Sequence, residues 1–67
     1  MVDLNPSIQV EPTWTTQEVS AYLRVPVATL YQWRWKKYGP PAARVGRNLR
    51  YLRADVEAWL AAQMEAA

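Results

Sequence analysis

The run Tyr38-Gly39-Pro40-Pro41 constrains this chain more than any other stretch. Glycine has no Cβ and is costly inside a helix or strand, while each proline fixes φ and lacks the N–H that either ladder needs. A helix arriving from the N-terminal side must stop there, and a new element must begin beyond it. Neither half is large enough for a core of its own. The 67 residues therefore make one domain, near the lower size at which an apolar core holds a fold unaided. The chain has no cysteine and no histidine, so disulfides and thiolate or imidazole metal sites are excluded as staples. Four Trp and four Tyr are then the means by which so small a core buries enough area.

Five pieces follow from the pattern. Residues 1–12, with Pro6 and Pro12, show no periodicity and predict a flexible N-terminal arm before a domain spanning 13–67. Thr15 followed by Glu18 forms a capping box, with Trp14 placed to staple onto Val19, so a helix is predicted over Thr16 to Leu23 with Val19 and Leu23 inward. Arg24-Val25-Pro26 makes a tight turn, Pro26 opens a second helix, and this helix is expected to run to about Lys37. Beyond the stop, Ala43 and Val45 alternate with Arg44, and Leu49 and Tyr51 alternate with Arg50, around a Gly46–Asn48 turn. That alternation predicts a short hairpin with Arg44 and Arg50 on one face and Arg47 with Asn48 at its tip. A third helix is predicted from about Arg53 to Gln63, with Asp55 in its first turn and Val56, Trp59, Leu60 and Met64 inward. The expected fold is mostly α with a small β-hairpin, in the order helix, turn, helix, hairpin wing, helix: a winged helix-turn-helix. A lone hairpin is marginal in water, so the wing must pack on the helices.

The net charge of +2 hides a strong segregation. All eight basic residues fall between Arg24 and Arg53, and no acid interrupts them. Asp3, Glu11 and Glu18 precede that segment, and Asp55, Glu57 and Glu65 lie within or beyond the third helix. A middle of one sign points to a polyanionic partner. Helical residues turn by about 100° each. With Leu30 inward, Val27 and Trp33 join it, Ala28, Gln32 and Trp35 face away, and Thr29 and Lys36 flank them. Tyr31 falls at the boundary. Arg34 falls towards the buried side, where an ion pair with Asp55 or Glu57 is expected.

The outward set suits a DNA major groove. Gln32 can read adenine, Ala28 and the Thr29 methyl permit close approach to thymine, and Lys36 and Lys37 suit phosphates at the exit. Trp35 is left three places: the sugar–phosphate wall, a neighbouring protein, or the Tyr38–Pro41 loop. In the wing, Arg44, Arg47, Asn48 and Arg50 are candidates for backbone or minor-groove contacts. Thr16, Arg24 and Arg53 are further phosphate candidates. No enzyme is expected: Ser7 and Ser20 have no histidine to activate them, and Asp55 and Glu57 point to different sides of a helix. Neither a membrane span nor a secretion signal is seen, so a cytoplasmic location is expected.

The segments "TTQEVSAYL", "VATLYQW", "GPPAARVGRNLRY" and "ADVEAWL" together give a resemblance. From Trp14 to Leu60 the chain resembles the MerR-like winged-helix DNA-binding domains, and more narrowly the excisionases (recombination directionality factors) of actinobacteria and their phages, mycobacteriophages included. The resemblance implies a protein that bends attachment-site DNA, binds double-stranded DNA side by side with other copies of itself, and directs an integrase of the tyrosine-recombinase class towards excision. It implies no cofactor or metal. Ala28 and Gln32 match base-facing positions, and Arg47 with Asn48 match the wing tip. Lys37 stands where many members have glycine, so the helix is expected to end differently before Gly39. Two alternatives stand beside this one: a small MerR-like transcriptional regulator on promoter direct repeats, and a module whose basic face meets an acidic protein. Full regulators of that type add a coiled coil and an effector domain, for which "AAQMEAA" is too short.

Overall fold

The computed structural model describes residues 13–67, and the arm expected over residues 1–12 lies outside them. The elements are α1 (Thr16–Leu23), α2 (Val27–Trp35), β1 (Ala43–Val45), β2 (Asn48–Arg50) and α3 (Arg53–Ala66). This is a small, mostly helical winged helix-turn-helix, as the sequence predicts.

The capping box forms in full at the start of α1. The Glu18 N–H donates to Thr15 Oγ1 at 3.0 Å, and the Thr15 N–H donates to Glu18 Oε1 at 2.8 Å. These bonds satisfy two of the backbone donors that a helix start leaves unpaired. The helix closes at Arg24, whose φ of 60° is left-handed. The Arg24 and Val25 N–H groups both donate to the Ser20 carbonyl. Pro26 caps α2 from outside, rather than supplying its first residue, and its carbonyl accepts from Thr29 and Leu30.

The second helix ends at Trp35, two residues short of the expected Lys37. Lys36 caps it, and Lys37 turns left-handed with a φ of 60°. The Lys37 N–H donates to the Arg34 carbonyl at 3.2 Å and the Tyr38 N–H to the Trp33 carbonyl at 2.8 Å. That bond pair, with the Tyr38 ring edge on Trp33 at 5.1 Å, is a Schellman closure. The helix thus ends as it would with glycine, and a lysine adopts glycine's conformation.

The closure carries the chain into an aromatic cluster. The Trp33, Tyr38 and Trp59 rings lie 5.1 to 5.7 Å apart, joining α2, the following loop and α3. Gly39, with a φ of 87°, passes so close that a Cβ there would sit 2.8 Å from Trp33 Cε3. Val19, Leu30, Leu49, Tyr51 and Val56 form the buried centre, drawn from all three helices and the wing. Trp14, Leu23, Val25, Trp33 and Ala42 pack around it.

The wing pairs Ala43 with Arg50, Arg44 with Leu49, and Val45 with Asn48. Only Gly46 and Arg47 remain as the loop, and Gly46 has the positive φ, 63°, that a type II′ turn takes at its first position. Asn48 is therefore a strand residue and not part of the turn. Partners across a ladder share a face, so Arg44 lies on the side of buried Leu49. Arg50 lies on the other side with Ala43 and Val45, and Val45 is exposed. The expected common face for Arg44 and Arg50 is wrong, because a two-residue loop shifts the pairing that a three-residue turn implied. Trp14 also pairs with Tyr51 as an antiparallel bridge, through backbone bonds of 2.8 and 3.0 Å. This ties the start of the domain to the wing.

The third helix is longer than predicted and outruns the core. Val56 is buried, Trp59, Leu60 and Gln63 are half-buried, and Met64 is 72% exposed instead of inward.

Candidate nucleic-acid interface

The outward face of α2 is as the helical spacing predicts. Ala28 and Gln32 are exposed, Trp35 is 87% exposed, and Tyr31 about half so. Thr29 is half-buried. Trp35 does not fold onto the Tyr38–Pro41 loop, since packing there would cover the indole. Tyr31 and Trp35 stand one turn apart and form an aromatic ridge along the helix.

That ridge is one wall of a groove between α2 and the wing. Tyr31, Arg34, Trp35 and Lys37 line it from the helix side, and Arg44, Arg47 and Leu49 from the hairpin. The groove gathers four cations around apolar rings, and no acid among the described residues lines it. Leu49 anchors the arrangement, for its burial fixes the hairpin's register against the core and brings Arg44 round with it.

Arg34 is a groove residue that the sequence left elsewhere. It is exposed and forms no ion pair among the described residues. Glu57, one of its expected partners, instead takes Arg53, with Nε and Oε2 at 3.0 Å, because the two stand four residues apart on α3. Asp55 lines a separate groove with Arg50, Leu52 and Ala43 on the far side of the wing. Arg34 acts electrostatically on Tyr51: burial raises that phenol above its ordinary pKa, Tyr31 adds to the rise, and the Arg34 guanidinium opposes it. The register that places Arg44 here was legible in Gly46-Arg47, read as a two-residue loop. No local signal marks Arg34.

Other candidates fall outside the groove. Thr16 is 3% exposed, so it cannot reach a phosphate; its spacing from Val19 puts it on the inward face of α1. Arg50 faces the second groove and donates to the Leu49 carbonyl at 3.1 Å. Arg24 is exposed at the end of α1, and Arg53 is engaged by Glu57. Among the described residues no group of His, Cys, Asp and Glu could hold a metal ion. No helix there is long and apolar enough to cross a membrane.

A helix-turn-helix whose second helix is exposed beside a cationic wing belongs to the class of DNA-binding winged helices. The chain is a member of the helix-turn-helix domain family, whose sequence profile matches residues 15–64. That family is one of DNA-binding domains and is not typically catalytic. Comparisons with curated proteins and with solved structures give no match.

Proposed function

We propose that the chain is a DNA-bending excisionase: it binds attachment-site duplexes beside further copies of itself and directs an integrase of the tyrosine-recombinase class towards excision. The observation that carries DNA binding is the cationic groove, with Arg34, Lys37, Arg44 and Arg47 around Tyr31 and Trp35. Membership of a helix-turn-helix family that includes excisionase-like proteins, together with the MerR-like resemblance, supports the narrower role.

In this arrangement α2 enters the major groove. Gln32 pairs with a base edge, Ala28 and the Thr29 methyl lie against thymine, and Lys36 and Lys37 hold phosphates. Tyr31 and Trp35 pack along the sugar wall. The wing tip, Arg47 and Asn48, reaches the adjacent backbone or minor groove, with Arg44 behind it. Arg24, in the turn between α1 and α2, offers a further phosphate contact. Residues 13–67 form the binding unit and 1–12 its arm, acting in the cytoplasm. A single module buries little DNA surface, so affinity must come from neighbouring copies.

Footprinting across an attachment region and across promoters tests the role. Protected repeats inside the attachment region, and tighter binding to several repeats than to one, are expected. Protection confined to promoters makes the chain a transcriptional regulator instead. A duplex affinity that ignores salt, where about four to six neutralised phosphates should give a steep loss, overturns both.

A further inference from the structure

Lys37 occupies a backbone conformation that disfavours it. Its φ of 60° is left-handed, where a Cβ crowds the following carbonyl and glycine or asparagine is at home. Gly39 stands only two residues on, so the loop already contains the residue type that tolerates such geometry. The lysine also joins a groove with Arg34, Arg44 and Arg47, where no acid among the described residues offsets the repulsion among like charges. Two unfavourable choices coincide at one side chain, and the Schellman bonds that hold the turn would form equally with glycine, so they do not account for a lysine. A cation at a helix C-terminus does gain from the dipole, but Arg34 in the last turn of α2 already supplies that charge.

We infer that Lys37 is a phosphate anchor retained at the expense of stability: its left-handed backbone aims an ammonium into the groove, and a DNA phosphate relieves the charge crowding there. The inference rests on the DNA-binding assignment above and deepens it. It separates Lys37 from Lys36, which caps the helix with an ordinary negative φ and does not line the groove. Arg24 is the one other described non-glycine residue with a positive φ, and it too stands at a helix end, closing α1. Its replacement by glycine therefore measures what such a cap costs this fold.

Lys37→Gly and Lys37→Gln separate strain from charge, read by thermal unfolding and by duplex titration at several salt concentrations. Both variants are expected to bind about 5- to 10-fold more weakly near 0.1 M salt, with the log–log salt slope smaller by about 0.9, the signature of one lost phosphate. Lys37→Gly should melt about 3–6 °C above Lys37→Gln, as Arg24→Gly should above Arg24→Gln, since glycine alone relieves the backbone. An unchanged affinity and slope in Lys37→Gln, with the wild type binding normally, removes the anchor. Equal melting temperatures for the two Lys37 variants remove the strain. A wild type with no salt-dependent duplex binding overturns the functional assignment and this inference with it.

Discussion

Gly39 is the residue on which the turn out of α2 depends. Its φ of 87° suits glycine alone, and a methyl there would meet Trp33 Cε3 at 2.8 Å. Gly39→Ala should thus pay twice, in backbone strain and in displacement of an indole that holds α2 to α3. A loss of about 2–3 kcal/mol is expected, or about 8–20 °C in melting temperature, measured by circular dichroism. By contrast, Gly46 has open space around it, so only its turn conformation restricts the choice of side chain. Tyr51 is a different case, a core ring with a titratable end. Burial holds its pKa above the ordinary 10. The folded chain therefore keeps that proton to higher pH than the unfolded chain does. Stability from this group is full below about pH 10 and falls as pH rises from there through the raised value. Tyr51→Phe should fold at neutral pH and lose less stability than the wild type between about pH 9.5 and 11 in melting scans. Equal alkaline losses would show that the phenol has no raised pKa. At the exposed residues, Gln32→Ala should cost about 1–3 kcal/mol on a specific site and nothing on random duplex, whereas Arg47→Ala should weaken binding on most sequences. Competition titrations with specific and random duplexes separate the two.

At the scale of elements, local chemistry and packing divide the work unevenly. The first helix is eight residues long, too short to persist alone. Its reciprocal cap sets where it begins, and Val19 in the core holds it. Thr15→Ala should lower stability by about 1 kcal/mol, and Thr15→Ser by much less, because only the hydroxyl oxygen is needed. Urea midpoints for the two variants check this. The second helix has the weaker local definition. No side chain caps its start, its end relies on a lysine in a glycine conformation, and Leu30 is its one fully buried residue. The wing has no independence at all. Two three-residue strands cannot stand in water, and Leu49 and Tyr51 must enter the core before the loop is presented. Any substitution that loosens Leu49 is therefore expected to disturb Arg44 and Arg47 as well.

Across the whole molecule, charge and core are arranged back to back. The buried centre draws on every helix and the wing, and the cationic groove lies outside it, between α2 and the hairpin. Three acids of the described residues lie elsewhere: Glu18 in the capping box, Glu57 with Arg53, and Asp55 in the groove behind the wing. The sequence already held much of this plan. Thr15 and Glu18, the Tyr38–Pro41 stop, and the spacing around Leu30 fixed the first two helices to within two residues and turned Gln32 and Trp35 outward. Those features act over a few residues along the chain, so periodicity and capping chemistry suffice to read them. The place of Arg34 beside the wing, the pairing of Trp14 with Tyr51, and the exposure of Met64 were settled only by tertiary structure. Each depends on how far one element lies from another that is distant in sequence, and no local pattern encodes that separation.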